Sequence, residues 1–162
     1  MKENHIYILL LGAVMLWCGL IVGAPILASS GTHQVLSKEV YGFYGKVCHQ
    51  LDDRSLHLDG EKFAVCARCT SVYFSFLGLL IVYPFLPKFN SGNGRRWIFV
   101  SLLPMLLDVG LDFAGIHEST IFTRLITGAL FGMTIAYLLL PDLLSGLSGL
   151  FTLKKKKILS EL

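Results

Sequence analysis

Residues 6–28 read IYILLLGAVMLWCGLIVGAPILA, and no side chain in the stretch carries a charge. About 20 apolar residues in a helix cross the roughly 30 Å of hydrocarbon in a bilayer, so this run is long enough to span one. A second uncharged run occupies residues 69–87. The chain around them, 162 residues, is 54% hydrophobic and 15% charged, whereas a soluble domain carries charge on about a quarter of its residues. That balance excludes a cytosolic enzyme, a disordered chain and a disulfide-dense secreted module. The first run exceeds the roughly 7–15 apolar residues of a signal-peptide core and almost lacks a basic flank, so it reads as a retained helix.

Working outward, four apolar segments emerge, at about 6–28, 66–87, 97–116 and 121–140. Pro84 and Pro87 stop the second, Pro141 ends the fourth, and Pro104 kinks the third, which a membrane helix tolerates when neighbours satisfy the freed carbonyl. The expected fold is all-α, a polytopic membrane protein built as one four-transmembrane-helix bundle. Gly128 and Gly132 form a GxxxG pair that serves close helix contact, either within the bundle or in a homo-oligomer. In the long loop at 29–65, Leu36, Val40, Phe43 or Tyr44, Val47 and Leu51 recur at helical spacing and predict a short amphipathic segment on the membrane surface. Ser55 to Gly60 reads as a turn leading into the second span. Lys88–Arg96 is a polar turn and His117–Thr120 a tighter one.

Four spans put both termini and the second loop on one side. That side carries Lys2, Lys88, Arg95, Arg96 and Lys154 to Lys157, eight cations; the other carries Lys38, Lys46, Arg54, Lys62 and Arg68, five. The larger count, closer to the helix ends, predicts a multi-pass protein of the cell membrane with both termini cytoplasmic. The Cys/His loop then faces outward and residues 141–162 form a basic cytoplasmic tail. A net charge of +3 without a basic-aromatic groove pattern gives no ground for a nucleic-acid partner. The expected partners are the lipid bilayer and a polar lipid or small-molecule ligand.

Three of the four cysteines lie in one region, as Cys48-His49-Gln50 and Cys66-Ala67-Arg68-Cys69. A CxxC at a helix start holds two sulfurs close together, where the helix N-terminus favours the thiolate. With Cys48 and His49 the set reaches four soft ligands, the number of a tetrahedral zinc site, and His57 is a spare. Neighbouring side chains diverge, so three of the four binding is as natural an outcome. The competing chemistry is redox: Cys48 resolving a Cys66–Cys69 disulfide in a thiol–disulfide oxidoreductase coupled to a quinone. A static disulfide or inert thiols is the bland alternative. Cys18, alone in the first span, reads as a small packing residue.

Charges inside the spans are the other signal. Asp108 and Asp112 share a helix face at a spacing of four, and Asp112 and Arg124 fall at equal depth on either side of the tight turn, placed to pair. Asp108 is deeper and has no evident cation at its level. Ionisable groups in hydrocarbon cost about 2.5 to 3.5 kcal/mol each, which makes a functional site the default reading. Asp108, Asp112 and Arg124 are the candidates for any catalytic role, and with Arg54, Arg68 and Ser119 for ligand binding. The arginines suit a phosphate. An ion or proton pathway through the two acids is a third alternative. Whatever the orientation, Cys48, His49, Arg54, Cys66, Arg68, Cys69, Asp112, His117, Ser119 and Arg124 gather at one membrane face.

The motifs resemble a known family. Cys48-His49-Gln50, Arg54-Ser55, Cys66-Ala67-Arg68-Cys69-Thr70 and Tyr73, then Leu103-Pro104 with Asp108, and Glu118-Ser119-Thr120 with Arg124, Thr127 and Gly128, are similar to the signature of an uncharacterised prokaryotic membrane family, domain of unknown function 2085. The likeness runs from about Tyr44 to Gly132. Ser71 stands where the family usually has Gly after Cys-Thr, and Val109 and Asp112 replace a Gly and a Gln. The resemblance implies a membrane protein and no particular activity.

Overall fold

A computed structural model describes residues 3–31, 33–86 and 94–160. The elements in order are α1 (Glu3–Ser29), α2 (Gln34–Tyr44), β1 (Ser55–Leu58), β2 (Glu61–Cys66), α3 (Ala67–Val82), α4 (Gly94–Phe113) and α5 (Ile121–Ser160). Single 3-10 turns sit at Asp52–Arg54 and Tyr83–Phe85. Of the polar turn expected at Lys88–Arg96, only Gly94–Arg96 falls within the described residues, and these open α4.

Among the described residues three helices are long and apolar enough to cross a membrane, over Asn4–Ser29, Ala67–Phe85 and Ile121–Leu147, and only 17% of the most apolar window of each is buried inside the protein. Their outward faces are apolar: Leu9 and Leu16 on α1, Ile81 on α3 and Phe122 on α5 are all exposed. In water such surface would far exceed the few hundred Å² of contiguous apolar patch that a soluble monomer carries; in a bilayer it is solvated. The fourth expected span is the helix α4, which bears Asp108 and Asp112 and is not among the three.

Two expectations need correction. The chain is not purely helical: β1 and β2 pair antiparallel, with Leu58 opposite Glu61, His57 opposite Lys62 and Ser55 opposite Cys66, and a register irregularity between Ser55 and His57. The residues 55–60 read as a turn are therefore a strand and the start of a hairpin corner. The cause is Asp59-Gly60, both at positive φ (52° and 84°), the backbone that a two-residue hairpin turn of matching twist requires. Nor does Pro141 end the last helix. Pro141 lies inside α5, which runs on to Ser160; a proline removes one backbone donor, but the leucine-rich sequence beyond it restores the helix.

α5 is the central strut, packing most extensively on α3 and also on α4. The glycine pair lies in the first of these seams. A Cβ at Gly128 would stand 2.6 Å from the Arg68 carbonyl oxygen and one at Gly132 2.5 Å from that of Val72, with Ser71 and Ser75 Oγ closer still. The GxxxG motif thus serves contact within the bundle, backbone on backbone.

Two apolar cores hold the bundle at opposite ends. One joins Leu80 to Ala136 and Leu140, with Tyr7 of α1 donating to the Leu80 carbonyl at 2.8 Å. The other brings α1, α2 and β2 together around Ile21, Ala24, Val40, Tyr44, Cys48, Ala64 and Val65. The amphipathic segment expected in the loop forms as α2 up to Tyr44, with Val47 and Leu51 beyond the helix, and its buried face packs onto the protein. Ser37, Val40 and Tyr44 are buried, Ser37 Oγ donates to Ala24 O at 2.9 Å, and Tyr44 Oη donates to Trp17 O at 2.8 Å. Trp17 stands edge-on to Phe43, Tyr44 and Tyr73 at centroid distances of 5.5, 4.9 and 5.5 Å, a geometry that aromatic quadrupoles favour. This second core is the floor of the cysteine region.

Candidate functional site

Three separate elements deliver three sulfurs to one point. Cys48 closes the turn after α2, its N–H bonded to Tyr44 O at 2.9 Å. Cys66 ends β2 and caps α3, and Cys69 follows in the first turn of α3. The three Sγ atoms lie within 4.8 Å of one another. All four cysteines are free thiols, and Cys18 is apart from the cluster, buried in α1 with its Sγ 3.6 Å from Tyr73 O.

Local chemistry fixes the Cys48 arm. Gln50 adopts φ 51°, a left-handed conformation that costs a non-glycine residue of order 1–3 kcal/mol unless its surroundings hold it. They do: Gln50 Nε2 donates to Tyr41 O at 2.8 Å and Ala64 O at 2.6 Å, and Lys62 Nζ donates to Gln50 O at 2.9 Å. Tyr41 Oη in turn donates to Lys62 O. The Gln50 side chain thereby ties the end of α2 to β2 and sets Cys48 against Cys66, whose N–H points at Cys48 Sγ at 3.2 Å. Hydrogen bonds from the Cys66 and Cys69 thiols hold the Cys48 thiol far below the ordinary thiol range, against the opposing effect of burial. The cluster is thus poised to carry a thiolate.

A zinc–sulfur distance of about 2.3 Å in tetrahedral geometry sets sulfurs about 3.8 Å apart. Sulfurs already within 4.8 Å fit such an ion with a small inward adjustment. His49 is exposed and lines the adjoining cavity, and it is not part of the convergent group. His57 lies on β1, exposed, with Nε2 3.4 Å from Asp52 Oδ1.

The acids and arginines form a second layer beside the sulfurs. α4 ends in a Schellman motif: Gly115, at φ 67°, donates to Asp112 O and Ile116 N donates to Leu111 O at 3.1 Å, the bond pattern that lets a glycine close a helix. Thr120 caps α5, its Oγ1 accepting from Thr123 N at 3.2 Å, as an N-cap threonine does. Together the caps make the turn that brings Arg124 Nη2 to 3.1 Å from Asp112 Oδ2, the pairing expected from equal depth. Ser119 N–H donates to Asp112 Oδ1 at 3.1 Å, and Arg124 Nε donates to Ser119 O at 3.2 Å.

Asp108 does have a cation at its level. Arg68, in the first turn of α3 between Cys66 and Cys69, reaches across to it and donates through Nη2, while Ser119 Oγ donates to the same carboxylate oxygen at 2.7 Å. Sequence reasoning missed this partner because Arg68 counts as a residue of the membrane edge until α3 and α4 are both packed around α5. Arg54, on the loop, stands 3.8 Å from Asp112 Oδ2 and 3.5 Å from Asp53 Oδ2.

Between sulfurs and guanidinium groups lies a cavity of about 370 Å³ lined by Cys48, Cys66, Cys69, Arg54, Arg68 and Arg124, with Val47, His49, Gln50 and Leu51 at its loop side. Asp108 and Asp112 hold the arginines from behind and are not in its wall. Soft donors and fixed positive charge therefore share one polar chamber at one end of the bundle.

Comparison with known proteins agrees with the motifs. The family described as "Predicted membrane protein (DUF2085)" matches residues 48–138, more than half of the chain. An uncharacterised protein of Methanocaldococcus jannaschii is 36% identical over 104 residues, 63% of this chain and 67% of the relative. No solved structure matches. The family match opens at Cys48, the first sulfur of the cluster, and runs past Arg124 and the Gly128–Gly132 seam, so every residue lining the chamber except Val47 lies within it: the chain belongs to the DUF2085 family of predicted membrane proteins.

Proposed function

We propose that this protein is a multi-pass membrane protein that binds a metal ion, zinc by the softness of the donors, through the thiolates of Cys48, Cys66 and Cys69, and that the ion braces a pocket for a polar or phosphate-bearing membrane ligand. The observation that carries the reading is the convergence of three sulfurs from three elements within 4.8 Å, beside a cavity walled by Arg54, Arg68 and Arg124. Thiolate ligands favour zinc over hard cations. Three arginines are a costly way to line a cavity unless an anion receives their donors.

In this reading α4 is the fourth span. Its 20 residues extend about 30 Å at 1.5 Å per residue, and its two acids are neutralised by Arg68 and Arg124. The cation count then places both termini in the cytoplasm and the cysteine chamber at the outer face.

Elemental analysis of the purified full chain, run beside thiol titration with and without chelator, tests the metal. The expected result is one equivalent of zinc, with three thiols becoming reactive as chelator removes it, and loss of the zinc in Cys48→Ser. Metal-free protein with a reducible Cys66–Cys69 bond would overturn the reading in favour of disulfide exchange.

A further inference from the structure

Three sulfurs leave a tetrahedral ion one ligand short. Among the described residues the convergent group ends at Cys48, Cys66 and Cys69, and His49, next to Cys48, is exposed at the cavity's edge. The open side of the sulfur cluster is the cavity, whose wall carries three arginines and no carboxylate. The acids do not exhaust those arginines. Asp108 and Ser119 take only Nη2 of Arg68, whose Nε is buried without a hydrogen-bond partner. Asp112 and Ser119 O take Nη2 and Nε of Arg124. The Arg54 side chain makes no hydrogen bond among the described residues, only the two longer ion contacts to Asp53 and Asp112, and its Nε is buried without a partner. Guanidinium forks match tetrahedral oxyanions, and a fixed, partly buried set is preorganised to receive one.

Resting on the metal reading above, we propose that the fourth ligand of the ion comes from outside the chain: an oxygen of a phosphate monoester, clamped in the cavity by Arg54, Arg68 and Arg124. The ion and the arginines then share one anion, the oxygen on the metal side and the remaining oxygens on the guanidinium side. Val47 and Leu51, apolar, exposed and part of the cavity lining, give an amphiphilic phosphate somewhere to rest its chains, while a free phosphate needs only the inner wall.

The test uses the full chain in detergent, loaded with Co²⁺, whose thiolate charge-transfer absorption reports sulfur ligation and whose ligand-field bands report the fourth ligand. Inorganic phosphate and short-chain phosphatidic acid are titrated in, with phosphatidylcholine as the zwitterionic diester control. The expected result is a saturable shift of the ligand-field bands at constant charge transfer. Arg54→Gln, a substitution on a half-exposed loop residue, should raise the concentration needed about tenfold or more, the usual loss for one charge-assisted hydrogen bond. His49→Ala should keep the bands and their response. A shift with both probes supports any accessible phosphate as the ligand, and a shift with phosphatidic acid alone supports the lipid. Bands unmoved by either probe, an equal response to phosphatidylcholine, or collapse of tetrahedral cobalt in His49→Ala overturns the proposal while leaving the metal site standing. Failure to take up cobalt at all overturns both.

Discussion

Arg68 and Asp108, forty residues apart on α3 and α4, form an ion pair whose side chains are only 14% and 7% exposed. Removing one partner of so enclosed a pair strands the other charge, which costs about 3–5 kcal/mol. Asp108→Asn should therefore destabilise the protein strongly in a denaturant titration in detergent. Asp112→Asn should cost less, because Asp112 is more exposed and Arg124 keeps its bond to Ser119 O. Equal losses at the two positions would show that the deeper pair is not the tighter constraint.

The glycine seam makes a prediction with an internal control. Gly128→Ala pushes a methyl group into the backbone of Arg68, and Gly132→Ala does the same at Val72; overpacking of this kind costs about 1–3 kcal/mol or more. Gly78, on α3, has nothing within 4 Å of an added Cβ, so Gly78→Ala should be neutral or slightly stabilising by helix propensity. Thermal unfolding of the three variants in detergent checks the order.

Cys48 should carry a thiolate at neutral pH in metal-free protein, since its thiol is held far below the usual range by the Cys66 and Cys69 hydrogen bonds. Thiolate absorption in the ultraviolet, titrated downward from alkaline pH, should persist through neutrality and vanish in Cys48→Ser. The sign for stability follows. A depressed folded-state value contributes stability that is complete above the unfolded thiol value and is lost as pH falls toward the folded one. Metal-free protein should thus weaken on acidification, and Cys48→Ser should flatten that slope.

The Gln50 side chain bonds to Tyr41 O and Ala64 O and so holds the arm that presents Cys48 to the proposed metal site. Gln50→Ala removes both amide bonds and leaves the left-handed backbone held only by the Lys62 bond to its carbonyl. Loss of such an outer support lowers metal affinity about 10–100-fold, measurable by competition against a chromophoric chelator. Retention of full affinity would mean that the α2–β2 packing positions Cys48 unaided.

What could be read from residues alone follows from how local each feature is. Uncharged runs and helix spacing are properties of one segment, so α1, α3 and α5 were legible, as was the Asp112–Arg124 pair, which depends only on a short turn. The Arg68–Asp108 pair depends on how α3 and α4 sit around α5, which no spacing within either helix encodes. The hairpin is different: Asp59-Gly60 between Leu56-Leu58 and Phe63-Val65 is a turn signal of known type, masked by the polar residues that flank it. Pro141 misled in the other direction, because a proline removes one bond locally while the helix-forming leucines on both sides carry α5 through it.

The seam at Gly128 and Gly132 also divides the chamber mechanically. Where α3 meets α5 at the two glycines there is no room for even a methyl group, so Arg68 with its two flanking cysteines and Arg124 stand on one tightly packed wall. α4 is fastened to that wall by ionic latches at Asp108 and Asp112, and the Arg54 loop by longer contacts still. A ligand that widens the chamber would therefore do so by loosening latches on the α4 and Arg54 side, because the α3–α5 side has no slack to give.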